Sequence, residues 1–246
     1  MATFAKMTWV EMKLFAREPL SLVFAFAFPL IVLVVLIASF PNPEDALAFG
    51  GVDPSAYYLA GYIAVVISTI GLVTLPVRVA SYRERGILRR FRASSVPLWS
   101  VATAQVAVGI VMAAAGAVVL TVAGTAIYDA GLPESTGPVL AMFVLGTLAF
   151  VALGLLIGSV TRTARGAQAL GMILFFPMWL LSGAGPPPDI LGEGMRKVMD
   201  VLPLTHVVRA IQDPWIGLTP RALDVAVLLG ILIVAGSLSI RRLRLA

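Results

Sequence analysis

"AYYLAGYIAVVISTIGLVTLPV" (residues 56–77) carries no charged side chain, and "SYRERGILRRFRASSV" (residues 81–96) follows it with five arginines and one glutamate. The first stretch has the length that an apolar helix needs to cross the hydrocarbon layer of a bilayer, about 20 residues. The second is typical of a segment that lies against a membrane face or binds a partner there. We therefore predict a membrane-spanning helix that ends in a basic segment.

Similar apolar runs recur along the whole chain. Of its 246 residues, 59% are hydrophobic and 13% are charged, whereas soluble domains carry about 25% charged residues. No repeat or linker divides the chain, so residues 1–246 are predicted to form a single all-α membrane domain. Its six predicted spans lie at about 20–40, 56–79, 99–125, 139–160, 167–183 and 223–240.

The basic residues are divided unevenly between the two sides of such a domain. With six spans, 14 of the 18 Lys and Arg residues fall on the side that holds both chain ends, and four lie across the membrane. Cytoplasmic loops of membrane proteins are enriched in Lys and Arg, so both termini are predicted to be cytoplasmic. The excess of arginine over lysine, with abundant alanine, is typical of a GC-rich bacterial genome and indicates a bacterial plasma membrane.

One proline and one arginine refine this layout. Pro29 predicts a kink in the first span. Arg78 lies at the end of the second span, where a long side chain can extend to the interface, and we predict that it does so. Residues 1–18 are predicted to form a helix along the cytoplasmic face. Lys6, Lys13 and Arg17 share one stripe of that helix.

Residues 184–220 lie on the outer side and differ from the shorter loops there. Apolar residues recur at helical spacing in two pieces, each too short to cross a membrane. Two short amphipathic helices, broken at Pro203 and dipping into the outer leaflet, fit this pattern. His206 lies in the second piece and is predicted to have an interfacial structural role.

Several kinds of chemistry have no support in the sequence. No G-x-x-x-x-G-K-[ST] loop is present to hold a nucleotide, so any ATP must be bound by another protein. The chain contains no cysteine and one histidine, which argues against a thiolate or histidine metal centre. No catalytic residues are predicted, and an enzyme is disfavoured.

Mild polar side chains inside the spans are candidates for a substrate path, and we single out Ser68, Thr69, Thr74 and Gln105. The alternative is that these hydroxyls bond to their own helix backbone. The spans hold few ionisable residues, which disfavours an ion-coupled carrier. Gly154 and Gly158 form a G-x-x-x-G pattern that permits close helix packing, within the chain or between two copies.

Two segments carry a family resemblance. "YRERGILRRFRASSVPLWSVATAQV" (residues 82–106) resembles the segment after the second span in type-2 ABC exporter permeases. "FFPMWLLSGAGPPPDILGEGMRKVMDVLPLTHVVRAIQDPWIGL" (residues 175–218) is similar to their fifth span and the re-entrant helices that follow it. With the six-span layout, the resemblance covers essentially the whole chain.

The resemblance implies a permease that pairs with a second copy or a paralogue and with two separate ATP-binding subunits, which bind ATP and Mg²⁺. Residues 1–18 would act as a connecting helix, with Lys6, Lys13 and Arg17. The outer re-entrant region would hold Pro187, Pro203, Leu204 and Thr205. A coupling helix seated in the ATPase would comprise Arg83, Glu84, Arg85, Gly86, Arg89, Arg90 and Arg92.

The arginine segment has a second interpretation, because each basic residue near anionic headgroups contributes about 1 kcal/mol of attraction to lipid. Coupling and anchoring can coexist. The expected function is export of a hydrophobic or amphipathic substrate such as a drug, a lipid or a secondary metabolite. The alternatives are a permease for polysaccharides or glycolipids, and an accessory or sensor membrane protein that transports nothing. A nucleic-acid partner is not expected.

Overall fold

The computed structural model describes residues 2–40, 46, 47, 49, 51–87, 98–188 and 191–245, and every regular element within them is helical. The chain begins with an N-terminal helix, Ala2–Ala16. The other helices are span one (residues 19–38), span two (Pro54–Glu84), span three (Leu98–Tyr128), span four (Thr136–Val160), span five (Ala164–Leu181), a short outer helix (Glu193–Met199), an inserted helix (Pro203–Trp215) and span six (Ala222–Leu245).

The helix boundaries follow the predicted pattern closely. Spans two to six each contain a helix that is long and apolar enough to cross a membrane. Span one is helical throughout residues 19–38, but its apolar part is shorter, at Val23–Ala38. Two short helices separated at Pro203 are confirmed within residues 184–220. A crossing by span one and the re-entrant nature of the short helices stay predictions.

Prolines shape both span one and span two. A π-helical turn, Val23–Ala27, lies just before Pro29, and another, Thr69–Thr74, lies just before Pro76. Proline has no N–H to donate, so the helix before it loses a hydrogen bond and readily adopts a local irregularity. Span two therefore consists of two α-helical segments, Pro54–Ser68 and Leu75–Glu84, joined by the π-helical turn.

Neighbouring spans run in alternating directions, which gives the bundle two distinct ends. At the basic end, Arg83 of span two donates to the carbonyl of Thr161, between spans four and five, at 3.0 Å. At the acidic end, the Tyr57 hydroxyl donates to the carbonyl of Gly183, just after span five, at 2.8 Å. The N-terminal helix lies at the basic end, and the inserted helix lies at the acidic end.

Span two lies at the centre of the bundle, where its backbone touches those of spans four and five. A Cβ atom at Gly154 would collide with the carbonyl of Gly71, and one at Gly171 would collide with the carbonyl of Leu72. Leu72 lies four residues before Pro76, so its carbonyl lacks the usual helical N–H partner. Glycine is required at these positions because only a residue without a side chain permits such close approach.

The G-x-x-x-G pattern in span four is explained by the same contacts. Gly154 faces Gly71 of span two, and a Cβ atom at Gly158 would lie 2.8 Å from the carbonyl of Pro76. The prediction of helix packing within the chain is therefore confirmed for this pattern. The small residues of span three serve a similar purpose, because the glycines at 109, 116 and 124 face side chains of spans four and two.

Candidate coupling site

Arg78 is buried at the basic end of span two, with 4% of its surface exposed. The prediction that it extends to the membrane interface is wrong. An arginine in an apolar setting can turn to lipid headgroups or to protein carboxylates, and here it pairs with two carboxylates of residues 1–18. Its guanidinium lies 3.6 Å from the Glu11 carboxylate and 3.5 Å from that of Glu18.

Further contacts fix the guanidinium of Arg78 in place. It donates to the carbonyl of Glu11 at 3.2 Å and lies over the ring of Phe15, 4.8 Å from the ring centre. Such a cation–π contact strengthens when the cation is removed from water. Arg78 thus ties span two to the last turns of the N-terminal helix.

Tyr82, one helical turn further along span two, strengthens the same connection. Its hydroxyl donates to the Glu11 carboxylate at 2.5 Å, and Glu18 also accepts from Ser21 at 2.9 Å. Buried carboxylates are stable only when they are paired or hydrogen-bonded. These partners account for the burial of Glu11, whereas the Glu18 side chain stays 45% exposed.

Of the basic residues predicted for the connecting helix, Lys13 and Arg17 do not pair with the carboxylates of this cluster within the described part of the chain. Lys13 and Arg17 are exposed, and the Lys13 ammonium lies 5.2 Å from the ring centre of Trp9. The side chain of Lys6 lies outside the described residues. The N-terminal helix itself is confirmed, and its role in connecting to another subunit stays a prediction.

The first residues of the predicted coupling segment contact the turn between spans four and five. Arg83 donates to the carbonyls of Ser159 and Thr161, at the end of span four. Glu84 accepts the backbone N–H of Ala164, the first residue of span five, at 2.9 Å. Both side chains are therefore engaged by the turn between spans four and five.

The chain changes direction immediately after these contacts. Arg85 is exposed, and Gly86 has a φ of +67°, a conformation that side chains other than glycine rarely adopt. Arg89, Arg90 and Arg92 lie outside the described residues, so the coupling helix itself stays a prediction.

The four residues proposed for a substrate path have different environments. Ser68 and Thr69 donate to the carbonyls of Val65 and Val66, both at 2.8 Å, so the alternative of bonding to their own backbone is confirmed for this pair. Gln105 is buried, with 1% of its surface exposed.

Thr74 alone of the four lines a described cavity. The cavity has a volume of about 270 Å³ and opens at the basic end between spans one, two and five. The Thr74 hydroxyl is buried and has no hydrogen-bond partner within the described part of the chain. Polar side chains of Arg17, Glu18, Ser21 and Gln168 also line the cavity, together with apolar residues such as Val73 and Val77. The site therefore offers hydrogen bonds to a polar group that enters from the basic end.

A second polar cluster lies at the acidic end, around the inserted helix. His206 is buried, and its Nδ1 lies 2.5 Å from a carboxylate oxygen of Asp224 at the start of span six. This buried pair agrees with a structural role for His206, and its position at the membrane interface stays a prediction. Pro203 begins the inserted helix, and Pro187, Leu204 and Thr205 are buried.

Asp213, near the end of the inserted helix, belongs to the same region. Burial raises the pKa of its carboxyl above the ordinary value of 3.8, while the Arg221 guanidinium 3.1 Å away opposes that rise. A cavity of about 290 Å³ opens beside it and is lined by Tyr57, Arg209 and Gln212 among others. This end of the bundle therefore also holds a mixed polar and apolar pocket.

The residues that sequence reasoning missed are those whose partners are distant in the chain. Arg78 pairs with a residue 67 positions earlier, and His206 pairs with one 18 positions later. A usable signal was present: Glu11 on an apolar helix face and Asp224 at the start of an apolar run each call for a buried partner. No group of three or more metal-ligating side chains occurs within the described ranges.

Two comparisons show which known proteins this sequence is similar to. The sequence profile of the ABC-2 type transporter family matches residues 3–214. The chain is 22% identical over 170 residues to the probable multidrug ABC transporter permease YbhR of Escherichia coli K12, and to the YbhR of E. coli O157:H7 with the same values. These alignments cover 68% of this chain and 46% of each relative, so the chain spans about half the length of the curated relatives it matches.

Proposed function

The chain belongs to the ABC-2 type transporter family, and from that premise we propose that it is the permease subunit of an ATP-driven exporter. It pairs with a second permease, identical or related, and with two separate ATP-binding subunits. ATP and Mg²⁺ are bound by those subunits, because this sequence lacks a phosphate-binding loop.

One observation carries this proposal. The central span of the bundle ends in the arginine-rich segment, and immediately before that segment it is tied to the N-terminal helix through Arg78 and Glu11. A force applied to the segment would therefore reach the middle of the bundle directly. An accessory protein that only anchors to lipid would not need a buried ion pair at this junction, because exposed arginines already supply the attraction to headgroups.

The direction of insertion follows from the charges. The basic end holds Arg17, Arg83, Arg162 and Arg165, and we assign it to the cytoplasm of a bacterium, with both chain termini on that side. The acidic end then faces outward. The short outer helix and the inserted helix form a re-entrant region there, with Pro187, Pro203, Leu204 and Thr205 near an outer gate.

The substrate in this proposal is a hydrophobic or amphipathic molecule. The name of the YbhR relatives supports a drug-like compound. The cavity beside Thr74 opens at the cytoplasmic end and combines apolar walls with hydrogen-bonding groups, so it suits the polar part of such a molecule. Thr74 and Gln168 are the residues that we assign to this contact.

Co-purification and transport test the proposal together. The tagged chain, isolated in detergent from its native membrane, is expected to carry an ATP-hydrolysing subunit. Reconstituted into liposomes, the complex is expected to move ethidium, a fluorescent drug, only when ATP is supplied. A preparation without ATPase activity, or with ATP-independent ethidium movement, would contradict the proposal.

Two charge-reversal substitutions test whether the arginine-rich segment is the site that couples ATP hydrolysis to the permease. Arg89→Glu with Arg90→Glu is expected to abolish ATPase association and ethidium movement. Arg241→Glu with Arg242→Glu makes the same change of charge on exposed residues at the end of span six and is expected to leave both intact. Retention of ATPase association and transport by the first variant would show that the segment is not the coupling site.

A further inference from the structure

We infer that Arg83 and Glu84 are positioning residues that join the end of span two to both ends of the turn between spans four and five. This inference rests on the proposed function. Motion imposed on the arginine-rich segment is thereby passed to spans two, four and five together, here named the two–four–five unit. The two residues act within the chain, and the ATPase-facing part of the segment begins at Arg85.

Arg83 caps the end of span four. The last carbonyls of a helix lack intrahelical partners and carry a partial negative charge. Span four ends at Val160. The Arg83 guanidinium donates hydrogen bonds to the carbonyls of Ser159 and Thr161 at this end. A cation is the favourable group at this position, and a carboxylate would repel the same carbonyls.

Glu84 caps the start of span five. The first N–H groups of a helix lack intrahelical partners and carry a partial positive charge. Glu84 accepts the N–H of Ala164, and Thr163 accepts that of Gly166 at 3.1 Å. Two adjacent residues of opposite charge thus meet two helix ends of opposite polarity. Position 83 therefore requires a positive charge and position 84 a negative one.

The glycine contacts described above provide a second, independent connection. The backbones of spans two and four touch at Gly71 and Gly154, and those of spans two and five touch at Leu72 and Gly171. Helices in backbone contact have no side-chain layer between them that could rearrange during sliding. The glycine contacts along the spans and the contacts of Arg83 and Glu84 at the basic end therefore hold the same three helices together, spans two, four and five.

A variant in which the two charges are exchanged tests whether each charge must lie at its own helix end or whether the presence of both charges is enough. Arg83→Glu with Glu84→Arg keeps the composition, the net charge and the charge balance across the membrane, but it places each charge at the wrong helix end. We expect the variant to reach the membrane, to retain its ATPase and to hydrolyse ATP. Ethidium moved per ATP hydrolysed is expected to fall severalfold, because each charge then repels the helix end that it contacts.

Two further variants complete the test. Arg241→Ala removes an exposed charge at the end of span six, outside the coupling segment, and is expected to change the ratio of ethidium to ATP less than about twofold. Glu84→Ala removes one cap without introducing a repulsive charge, and the ratio is expected to fall in the same direction as for the exchange. Normal transport by the exchanged variant would overturn the inference.

ATPase association distinguishes this inference from the proposed function. If the exchanged variant loses the ATPase while the wild-type chain keeps it, Arg83 and Glu84 contact that subunit and the inference is wrong. If the wild-type chain itself carries no ATPase, the proposed function fails first, before any variant is compared.

Discussion

Span two and span six are about equally apolar, yet they occupy opposite environments. In span two, 94% of the most apolar stretch is buried inside the chain, against 22% in span six. Hydropathy identifies both as membrane helices but does not say which one is surrounded by protein. The difference lies in small residues, prolines and one arginine, which let span two contact its neighbours on every side.

The two helices also differ in how they hold polar groups. Span two buries Arg78 among partners from the N-terminal region. Span six buries Asp224 at its start against His206 and leaves Arg241 and Arg242 exposed at its end. Matched substitutions in the two helices can therefore test whether their environments differ as described.

The largest expected effect is that of Arg78→Ala. Removing one partner of a buried ion pair leaves an uncompensated charge, a loss of about 3–5 kcal/mol. We expect a clear fall in the thermal unfolding midpoint in detergent, whereas Arg241→Ala in span six is expected to change it little. Equal midpoints for the two variants would mean that Arg78 is exposed to lipid or water.

A smaller effect is expected where span four meets span two. Gly154→Ala places a methyl group against the carbonyl of Gly71, and overpacking of this kind costs about 1–3 kcal/mol. Gly236→Ala, in span six, adds the same group where no atom lies within 4 Å. Thermal unfolding of both variants checks the comparison, and equal stability would argue against the backbone contact.

An effect of the same size is expected at the connection between span six and the inserted helix. His206→Ala leaves the Asp224 carboxylate buried without that partner, at a cost of about 1–3 kcal/mol. Arg209→Ala, on the same helix, breaks only the pair with the exposed Asp200 and is expected to cost about 1 kcal/mol or less. Thermal unfolding in detergent is expected to give the lower midpoint for His206→Ala. A lower midpoint for Arg209→Ala would place His206 in a solvated position.

The spans and the two short helices could be predicted from the sequence because their signals are local. Apolar length located spans two to six, and Pro203 marked the break between the short helices. Glycine spacing in span four indicated close packing, which the contacts with span two confirm. Each of these features depends on residues that lie within one element.

The candidate site could be predicted only in part, because it depends on pairs from distant elements. The charge of Arg83 and Glu84 was evident, but their inward contacts depend on where the turn between spans four and five lies. Arg78 carried a charge that two environments could accommodate, lipid headgroups or protein carboxylates. The position of Glu11 in space decided between them, and a one-dimensional pattern does not contain it.

A cysteine pair tests most directly whether span two moves together with span five. A Cβ atom at Gly61 would lie 3.7 Å from that of Ala184, just after span five, within the disulfide range of roughly 3.5–4.5 Å. The chain has no other cysteine, so Gly61→Cys with Ala184→Cys forms one defined bond. With the reduced variant and oxidised wild type as controls, ATP-dependent ethidium transport by the oxidised variant is expected to equal that of the reduced one. Transport that stops on oxidation and returns on reduction would contradict the two–four–five unit.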